Sequence, residues 1–164
     1  MLKNKIGTQA CSIARSAAVI DDAWVLLILR EAVFGSRRFG DFMAFTGAQP
    51  SVVSDRLKRL VDAGVLEQSL YDEHPPRYEY RLTEMGRDLQ PVLMALTKWG
   101  DTHLDAGGGP PLVDTHTSCG HDTDPTVVCG HCAESLTSEN VRSSVGLGAD
   151  PDTVAQRADA VRRR

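Results

Sequence analysis

Apolar residues recur at helical spacing in the first hundred positions, and the clearest case is the segment that begins at Pro50. Its apolar stripe consists of Val53, Leu57, Leu60 and Val61. These positions follow i, i+4, i+7 and i+8, which is one face of an amphipathic helix. Pro50 suits a first helical position, where its missing N–H would have no partner. Gly64 suits the residue after the helix, which often adopts a left-handed conformation. The stripe by itself is equally typical of an ordinary surface helix with a charged outer face.

Three more helices are predicted upstream of this segment. They run from Cys11 to Ile20, from Trp24 to Phe34 and from Phe39 to Phe45. Asp21-Asp22 can cap the second of them and favour its positive N-terminal end. Gly47 fits a tight turn between the third helix and the helix at Pro50. Trp24 is expected to be a core residue. The helix from Phe39 to Phe45 and the helix at Pro50, joined by the turn at Gly47, therefore form a predicted helix-turn-helix.

A β-hairpin is predicted after Gly64. Val65–Tyr71 and Arg77–Leu82 are rich in residues that favour strands, and Pro75-Pro76 between them marks the tip because proline cannot continue a ladder. His74 and Arg77 give this tip a basic character. A helix-turn-helix followed by such a hairpin can place a helix in the DNA major groove and the tip on a phosphate or in the minor groove.

The segment after the hairpin predicts a long helix with more apolar surface than one small domain can bury. Thr83 is the expected N-cap, and Pro91 either bends the helix or starts a second segment. The apolar face comprises Leu89, Val92, Leu93, Leu96, Trp99 and Leu104. The surplus either pairs with a second copy of the chain or packs within one chain. The expected fold class is mainly α with a small β-hairpin wing, an α+β winged helix-turn-helix.

Charge is distributed unevenly along the 164 residues. The formal net charge is −4, which argues against a nonspecific nucleic-acid coat, but residues 36–59 carry five basic and two acidic side chains. Apolar runs are too short to span a bilayer, and the N-terminus lacks a signal-peptide core, so a cytoplasmic location is expected. We see no Gly-rich phosphate loop, paired carboxylates or nucleophile motif, and therefore expect no enzyme activity and no required cofactor.

Ten residues of the helix-turn-helix and hairpin are predicted to contact DNA. Ser51, Val52, Ser54 and Asp55 would face base edges; Arg37, Arg38, Arg56 and Lys58 would hold phosphates; His74 and Arg77 would act at the wing. Arg37 and Arg38 could instead be a solvated pair on a loop. A winged domain used only for protein contact, without a DNA role, is the alternative that the negative net charge permits.

Several short motifs occur together in a family's order and spacing. They are Cys11-Ser12-Ile13, Trp24 to Arg30, Arg37-Arg38-Phe39-Gly40, Ser54 to Leu57, Pro75 to Tyr80, and Leu82 to Arg87. Over roughly residues 8 to 104 the chain resembles the HxlR family of bacterial winged helix-turn-helix regulators, relatives of the MarR-type repressors. The departures are Asp21-Asp22-Ala23 where the family usually has Gly-Gly before a basic residue, Gln49 for a frequent Ser, and Ser51 for a basic residue.

The resemblance implies a homodimer that pairs through its first and last helices and binds an inverted-repeat operator, more often as a repressor. It also implies a response to a small molecule or an oxidant. Several members of the family sense oxidants, quinones or aldehydes through a Cys at the position of Cys11. The competing interpretation of Cys11 is a small buried hydrophobic residue near a helix start.

The composition changes at a Gly/Pro-rich linker. The predicted segments are a flexible arm at 1–9, the winged domain at 10–105, the linker at 106–114 and a tail at 115–164. Residues 107–164 lack aromatics and carry five basic and eight acidic side chains, so this part is expected to be mostly disordered, with a short helix at its end. The terminal arginines, 162–164, could touch DNA or form a frayed cationic end.

One cluster of metal-binding residue types lies in the tail. Cys119, His121, Cys129 and Cys132 could hold zinc, with His116 as an alternative to His121. A metal can organise a segment that is too small to bury a core. Redox-active thiols, or no site at all, are the alternatives.

Overall fold

The computed structural model describes residues 9–104 and 107–149, and it has the predicted winged helix-turn-helix in the first of these ranges. The helices before the hairpin are α1 (Ser12–Val19), α2 (Ala23–Val33), α3 (Phe39–Thr46) and α4 (Pro50–Asp62). They are followed by β1 (Leu66–Glu73), β2 (Pro76–Leu82), α5 (Glu84–Arg87), α6 (Gln90–His103), β3 (Thr115–His116) and β4 (His121–Asp122). The predicted arm (apart from Gln9) and the predicted terminal helix lie outside the described residues. Within them, no helix has both the length and the apolar character that crossing a membrane requires.

The core lies where α2, α3 and α4 pack on the base of the hairpin. Its fully buried side chains are Val25, Ile28, Leu29, Phe42, Val53, Leu57, Leu60, Val65 and Leu66. The stripe predicted for α4 is confirmed, because three of its four members are buried and Val61 packs against them. Burial of each large aliphatic side chain contributes about 1.5–3 kcal/mol. This cluster therefore fixes the angle at which α4 leaves the domain.

Trp24 is not a core residue, contrary to the prediction. Its side chain is 37% exposed, whereas Val25 and Ile28 of the same helix are completely buried. Residues on an α-helix are separated by about 100° per position, so the face that buries Val25 and Ile28 turns Trp24 towards the edge of the domain. The apolar run of α2 did not reveal which of its large residues would face inward.

The hairpin is antiparallel, and its register pairs Leu66 with Leu82 and Glu73 with Pro76. The tip is therefore at His74-Pro75, and Pro76 belongs to β2 as its first residue, a position that proline tolerates because it donates no ladder bond. An irregularity between Leu70 and Asp72 leaves Tyr71 as the extra residue of a β-bulge. A backbone bridge between Arg38 and Glu79 adds a third short segment to this sheet.

The predicted long helix after the hairpin is divided into α5 and α6. Thr83 caps α5 by accepting a hydrogen bond from the Gly86 amide at 3.1 Å. Gly86 lies so close to β1 that a Cβ built on it would be 2.2 Å from the Val65 carbonyl oxygen. Pro91 lies in the first turn of α6, so it starts a second segment and does not bend a continuous helix.

Residues 107–149 have no core of their own, since none of them is buried. This agrees with the composition, which offers little apolar surface to bury. The segment nevertheless contains local structure that composition does not predict. β3 and β4 form a small antiparallel pair, and Val128 makes a second antiparallel bridge to Ser135.

Candidate nucleic-acid interface

The outward face of α4 presents four of the predicted DNA-contacting residues to solvent. Ser51, Ser54, Asp55 and Lys58 are exposed, while Val52 and Arg56 are half-buried on the flanks of the helix. The opposite face is buried in the core. Small hydroxyl-bearing residues near the start of a helix allow its backbone to approach base edges closely. The geometry of α4 is thus compatible with insertion into a major groove.

Two aspartates ahead of α2 connect this helix to α4. The Asp22 carboxylate accepts a hydrogen bond from the Val25 amide at 3.0 Å and thereby caps α2, as predicted. The same side chain accepts a hydrogen bond from Arg56 Nε at 2.6 Å, and Asp21 accepts one from Arg59 Nη2 at 2.7 Å. All four charged groups are partly buried. Asp21 and Asp22 therefore connect the start of α2 to the helix that is predicted to face DNA.

Arg56 is held within the protein in this structure. Its guanidinium pairs with Asp22 and with its neighbour Asp55. Burial by itself would lower the pKa of Arg56, but the hydrogen bonds to Asp55 and Asp22 outweigh that effect, and its pKa lies above the ordinary value. A phosphate contact by Arg56 would require the loss or sharing of these partners. Its position favours a role in orienting α4.

Lys58 is placed differently from Arg56. Its ammonium pairs with Asp62 one turn later at 2.6 Å, and both side chains remain largely exposed. The hydrogen bond to Asp62 raises the pKa of Lys58. An exposed i,i+4 pair contributes little to stability and exchanges readily with solvent. Lys58 is therefore charged and accessible at the surface of α4.

Arg37 and Arg38 lie on the segment that joins the sheet, and their environments differ. The Tyr80 amide donates to the Arg37 carbonyl oxygen at 2.8 Å, which fixes the backbone here. Arg38 Nε lies 3.7 Å from a Glu79 carboxylate oxygen, and its guanidinium carbon lies 4.7 Å from the centre of the Tyr71 ring. Arg37 is exposed, and no ion pair engages it within the described ranges.

The tip of the wing carries the remaining predicted contacts. His74 and Arg77 are both exposed, and Arg77 Nε lies 3.8 Å from Asp72 Oδ2. Two exposed charges at this separation interact weakly, so a phosphate could take the place of Asp72 beside Arg77. The tip thus presents a cation at the end of the hairpin.

Comparisons with known proteins agree with this geometry. The family model described as HxlR-like helix-turn-helix matches residues 19–107, which is more than half of the chain. The chain belongs to the HxlR family. An uncharacterized HTH-type transcriptional regulator of Mycobacterium tuberculosis H37Rv is 42% identical over 137 residues, covering 84% of this chain and 87% of that protein. The protein is therefore a member of a bacterial family of DNA-binding transcription regulators.

Two solved structures extend the comparison. PA1607, determined as a candidate transcription factor, has a TM-score of 0.75 and 32% identity, covering 85% of this chain and 98% of that chain. The redox regulator HypR in its reduced form has a TM-score of 0.54 and 26% identity, covering 58% of this chain and 95% of that chain. Coverage of 85% exceeds the winged domain, so the similarity to PA1607 continues into the tail.

The outer surface of α6 carries exposed apolar side chains. No residue of α6 is buried, and Val92, Leu96 and Trp99 are each about half exposed. They border an open apolar cleft of about 420 Å³ whose other side is formed by Ile20, Leu26 and Leu29. The surplus apolar face predicted for this helix is confirmed. The described residues, 9–104 and 107–149, leave it uncovered.

Cys11 is the N-cap residue of α1, and its side chain is exposed. The interpretation of Cys11 as a small buried hydrophobic residue is therefore wrong. Its exposure is compatible with a sensing role, and that role stays a prediction.

The four predicted zinc ligands are not brought together in this structure. Nowhere in residues 9–104 and 107–149 are three His, Cys, Asp or Glu side chains grouped closely enough to hold one ion. His121 lies in β4, opposite His116, whereas His116 Nδ1 is 3.3 Å from Cys119 Sγ. The pKa of the Cys129 thiol is lowered by hydrogen bonds from the backbone amides of His131 and Cys132 and by the Cys132 side chain.

Sequence reasoning missed the partners that hold the basic residues in place. Asp21 and Asp22 were predicted only as caps, and Tyr71 and Glu79 only as strand residues. Each pairs with an arginine far away in sequence, such as Arg56, which is 34 positions from Asp22. The unusual Asp-Asp ahead of Trp24 was the available signal, since paired charges before an apolar helix need partners when they become partly buried.

Proposed function

We propose that the protein is a homodimeric repressor that binds an inverted-repeat operator through α4 and the wing. The observation that carries this proposal is the exposed outer face of α4, which lies in the same domain as the exposed cations Arg37, Lys58 and Arg77. Ser51, Val52, Ser54 and Asp55 would face base edges. The three cations would contact phosphates, which supply much of the affinity and make it dependent on salt.

Arg38 and Arg56 have supporting roles in this proposal. The contacts of Arg38 with Glu79 and Tyr71 hold the loop before α3 against the wing. The contact of Arg56 with Asp22 holds α4 against α2. Holding each DNA-contacting element against its neighbour reduces the entropy that must be lost on binding. His74 would act with Arg77 at the tip of the wing.

The apolar face of α6 supports dimerisation. Exposed Val92, Leu96 and Trp99 form part of one apolar surface together with Ile20 and Leu26. Covering such a surface with its copy across a two-fold axis would remove it from water. A two-fold axis would place the two recognition helices about 34–36 Å apart, on successive turns of one face of the DNA. An effector would act by changing this spacing, and Cys11 on α1 is the proposed point of oxidant sensing.

The test is fluorescence anisotropy of the purified protein with DNA from upstream of its own gene, compared with scrambled DNA over a salt series. We expect selective binding at two chains per site. Arg37→Ala should weaken binding to every sequence and reduce the magnitude of the slope of log K against log salt by about 1. Arg142→Ala removes an exposed arginine from the tail and is the matched control, which should leave the slope unchanged.

Two outcomes would contradict the proposal. An Arg37→Ala slope equal to that of the unmodified protein would remove Arg37 from the interface. A folded dimer that selects no sequence from a random DNA pool would favour the alternative, a winged-helix module for protein contact, which the formal net charge of −4 permits.

A further inference from the structure

Two turns in the tail have the same backbone structure, 13 positions apart. In the first, the Gly120 amide donates to the His116 carbonyl oxygen at 2.8 Å; in the second, the Ala133 amide donates to the Cys129 carbonyl oxygen, also at 2.8 Å. Gly120 and Ala133 both have positive φ, 73° and 60°. Ala133 adopts this conformation although it is not glycine, which indicates that the surrounding turn determines it.

The strands that flank the two turns are equivalent as well. Thr115 pairs with Asp122, and 13 positions later Val128 pairs with Ser135. The outer hydrogen bonds repeat with the same offset: the Thr123 amide donates to Asp114 at 2.7 Å, and the Leu136 amide donates to Val127 at 2.9 Å. The segments 114–123 and 127–136 are therefore two copies of one hairpin with a four-residue turn.

The repeat places metal-binding residue types at matching positions. His116, at the end of β3, and Cys119 are three positions apart around the first turn, and Cys129 and Cys132 are three positions apart around the second. Within the first turn His116 Nδ1 is already 3.3 Å from Cys119 Sγ. His121 has a different place: it is equivalent to Glu134, which lies beyond the turn. Each turn thus presents one pair of nitrogen or sulfur ligands.

We propose that one zinc ion per chain joins the two turns through His116, Cys119, Cys129 and Cys132. Four ligands with one imidazole and three thiolates are a common tetrahedral set for structural zinc. On binding, the three cysteine thiols lose their protons and coordinate the ion as thiolates. Neutral His116 coordinates through a ring nitrogen. The sequence leaves His116 and His121 as alternatives for the fourth ligand, and the repeat favours His116.

The structure holds the proposed ligands as two pairs. Among the described residues no three candidate ligands share one position, so binding requires the hairpins to approach each other. No buried contact opposes this movement, since residues 126–136 are exposed apart from half-buried Cys129. The three residues between the hairpins, 124–126, extend up to about 10 Å, which lets the second hairpin change its position relative to the first.

The first hairpin is already in contact with the winged domain. Lys98 Nζ of α6 lies 2.5 Å from Asp124 Oδ1, and Met94 and Thr97 of the same helix line a cleft with Val113 and Pro125. A zinc ion that joins the second hairpin to the first would therefore connect the whole tail to α6. Metal binding would then order the segment beside the helix that is proposed to form the dimer.

The experiment measures metal content and metal affinity of the full-length, reduced protein. We expect one zinc per chain, and after chelation a Co²⁺ titration should give the visible absorption of a tetrahedral thiolate site. His116→Ala should weaken Co²⁺ binding about 100-fold, since the ion loses one of four ligands. His121→Ala is the matched control and should change the affinity less than about twofold. Cys129→Ser should abolish the thiolate absorption.

Specific results would overturn the proposal. These are absence of stoichiometric metal in reduced protein, one ion shared by two chains, or equal losses from His116→Ala and His121→Ala. A Cys129–Cys132 disulfide in protein purified under reducing conditions, with no metal, would also overturn it. Helical circular dichroism of every variant should stay unchanged, because the core of the winged domain contains none of the altered residues.

Discussion

The winged domain and the tail are ordered by different interactions. The winged domain buries a continuous apolar cluster contributed by α2, α3, α4 and the hairpin. The tail, over residues 107–149, buries no residue and relies on backbone hydrogen bonds within two short hairpins. Conformational entropy costs about 1–2 kcal/mol per ordered residue, and apolar burial is the main term that offsets it. The tail therefore needs a different source of stability, such as a bound metal or contact with α6.

The largest expected contrast between the two regions comes from truncating one leucine in each. Leu57 is completely buried, and Leu57→Ala should lower the free energy of unfolding by about 2–5 kcal/mol through lost burial and a residual cavity. Leu136 is 42% exposed, and Leu136→Ala should change the free energy of unfolding by less than about 0.5 kcal/mol. Urea denaturation followed by circular dichroism measures both. Equal effects would mean that the tail shares the core.

A smaller effect is expected where α5 meets β1. Gly86→Ala places a methyl group where only 2.2 Å separates it from the Val65 carbonyl oxygen, so the backbone must shift. We expect a loss of about 1–3 kcal/mol in the free energy of unfolding, as for other overpacked sites.

Gly100 in α6 provides the control for Gly86. A Cβ at this position meets nothing within 4 Å, so Gly100→Ala should be neutral or stabilise the protein by up to about 1 kcal/mol. Thermal unfolding of the two variants side by side tests the contrast. If Gly86→Ala proved as stable as Gly100→Ala, the close packing of α5 on β1 would be refuted.

The smallest effect concerns the ion pairs that connect α2 with α4. Asp22→Asn keeps an oxygen that can cap α2 but removes the charge that faces Arg56. A double-mutant cycle with Arg56→Gln should give a coupling energy of about 0.5–1 kcal/mol that decreases as salt is added. A coupling near zero at low salt would show that Asp22 does not hold Arg56 in place. The corresponding pair of Lys58 and Asp62 is more exposed and should couple less strongly.

Some features of the winged domain follow from local sequence patterns, and others depend on tertiary packing. The stripe on α4, the cap at Asp22 and the left-handed Gly64 follow from local rules about periodicity and capping, and the structure confirms them. The hairpin tip, predicted at Pro75-Pro76, lies one residue earlier, at His74-Pro75, because Pro76 pairs with Glu73. The exposure of Trp24 and the pairing of Arg56 with Asp22 could not be predicted in this way. They depend on which face of α2 packs against α4, and that packing is a property of the assembled domain.

In the tail, too, some features follow from the sequence and others depend on the folded backbone. Its cysteines and histidines, its lack of aromatics and its acidic balance are visible in the sequence and indicate a segment without a core. The equivalence of the two turns is not visible there, because Gly120 and Ala133 differ while their backbone conformations agree. Only the folded backbone brings His116 Nδ1 within 3.3 Å of Cys119 Sγ and places His121 across the strand pair, in β4.

The sequence by itself determined the winged helix-turn-helix, since helix periodicity, caps and strand residues act over a few neighbouring positions. Tertiary structure alone decided which basic residues remain accessible for DNA and which are held by carboxylates. The physical reason is that an ion pair between residues 34 positions apart, such as Asp22 and Arg56, forms only when apolar packing has brought their helices together. The same packing leaves Arg37 exposed on the surface of the domain.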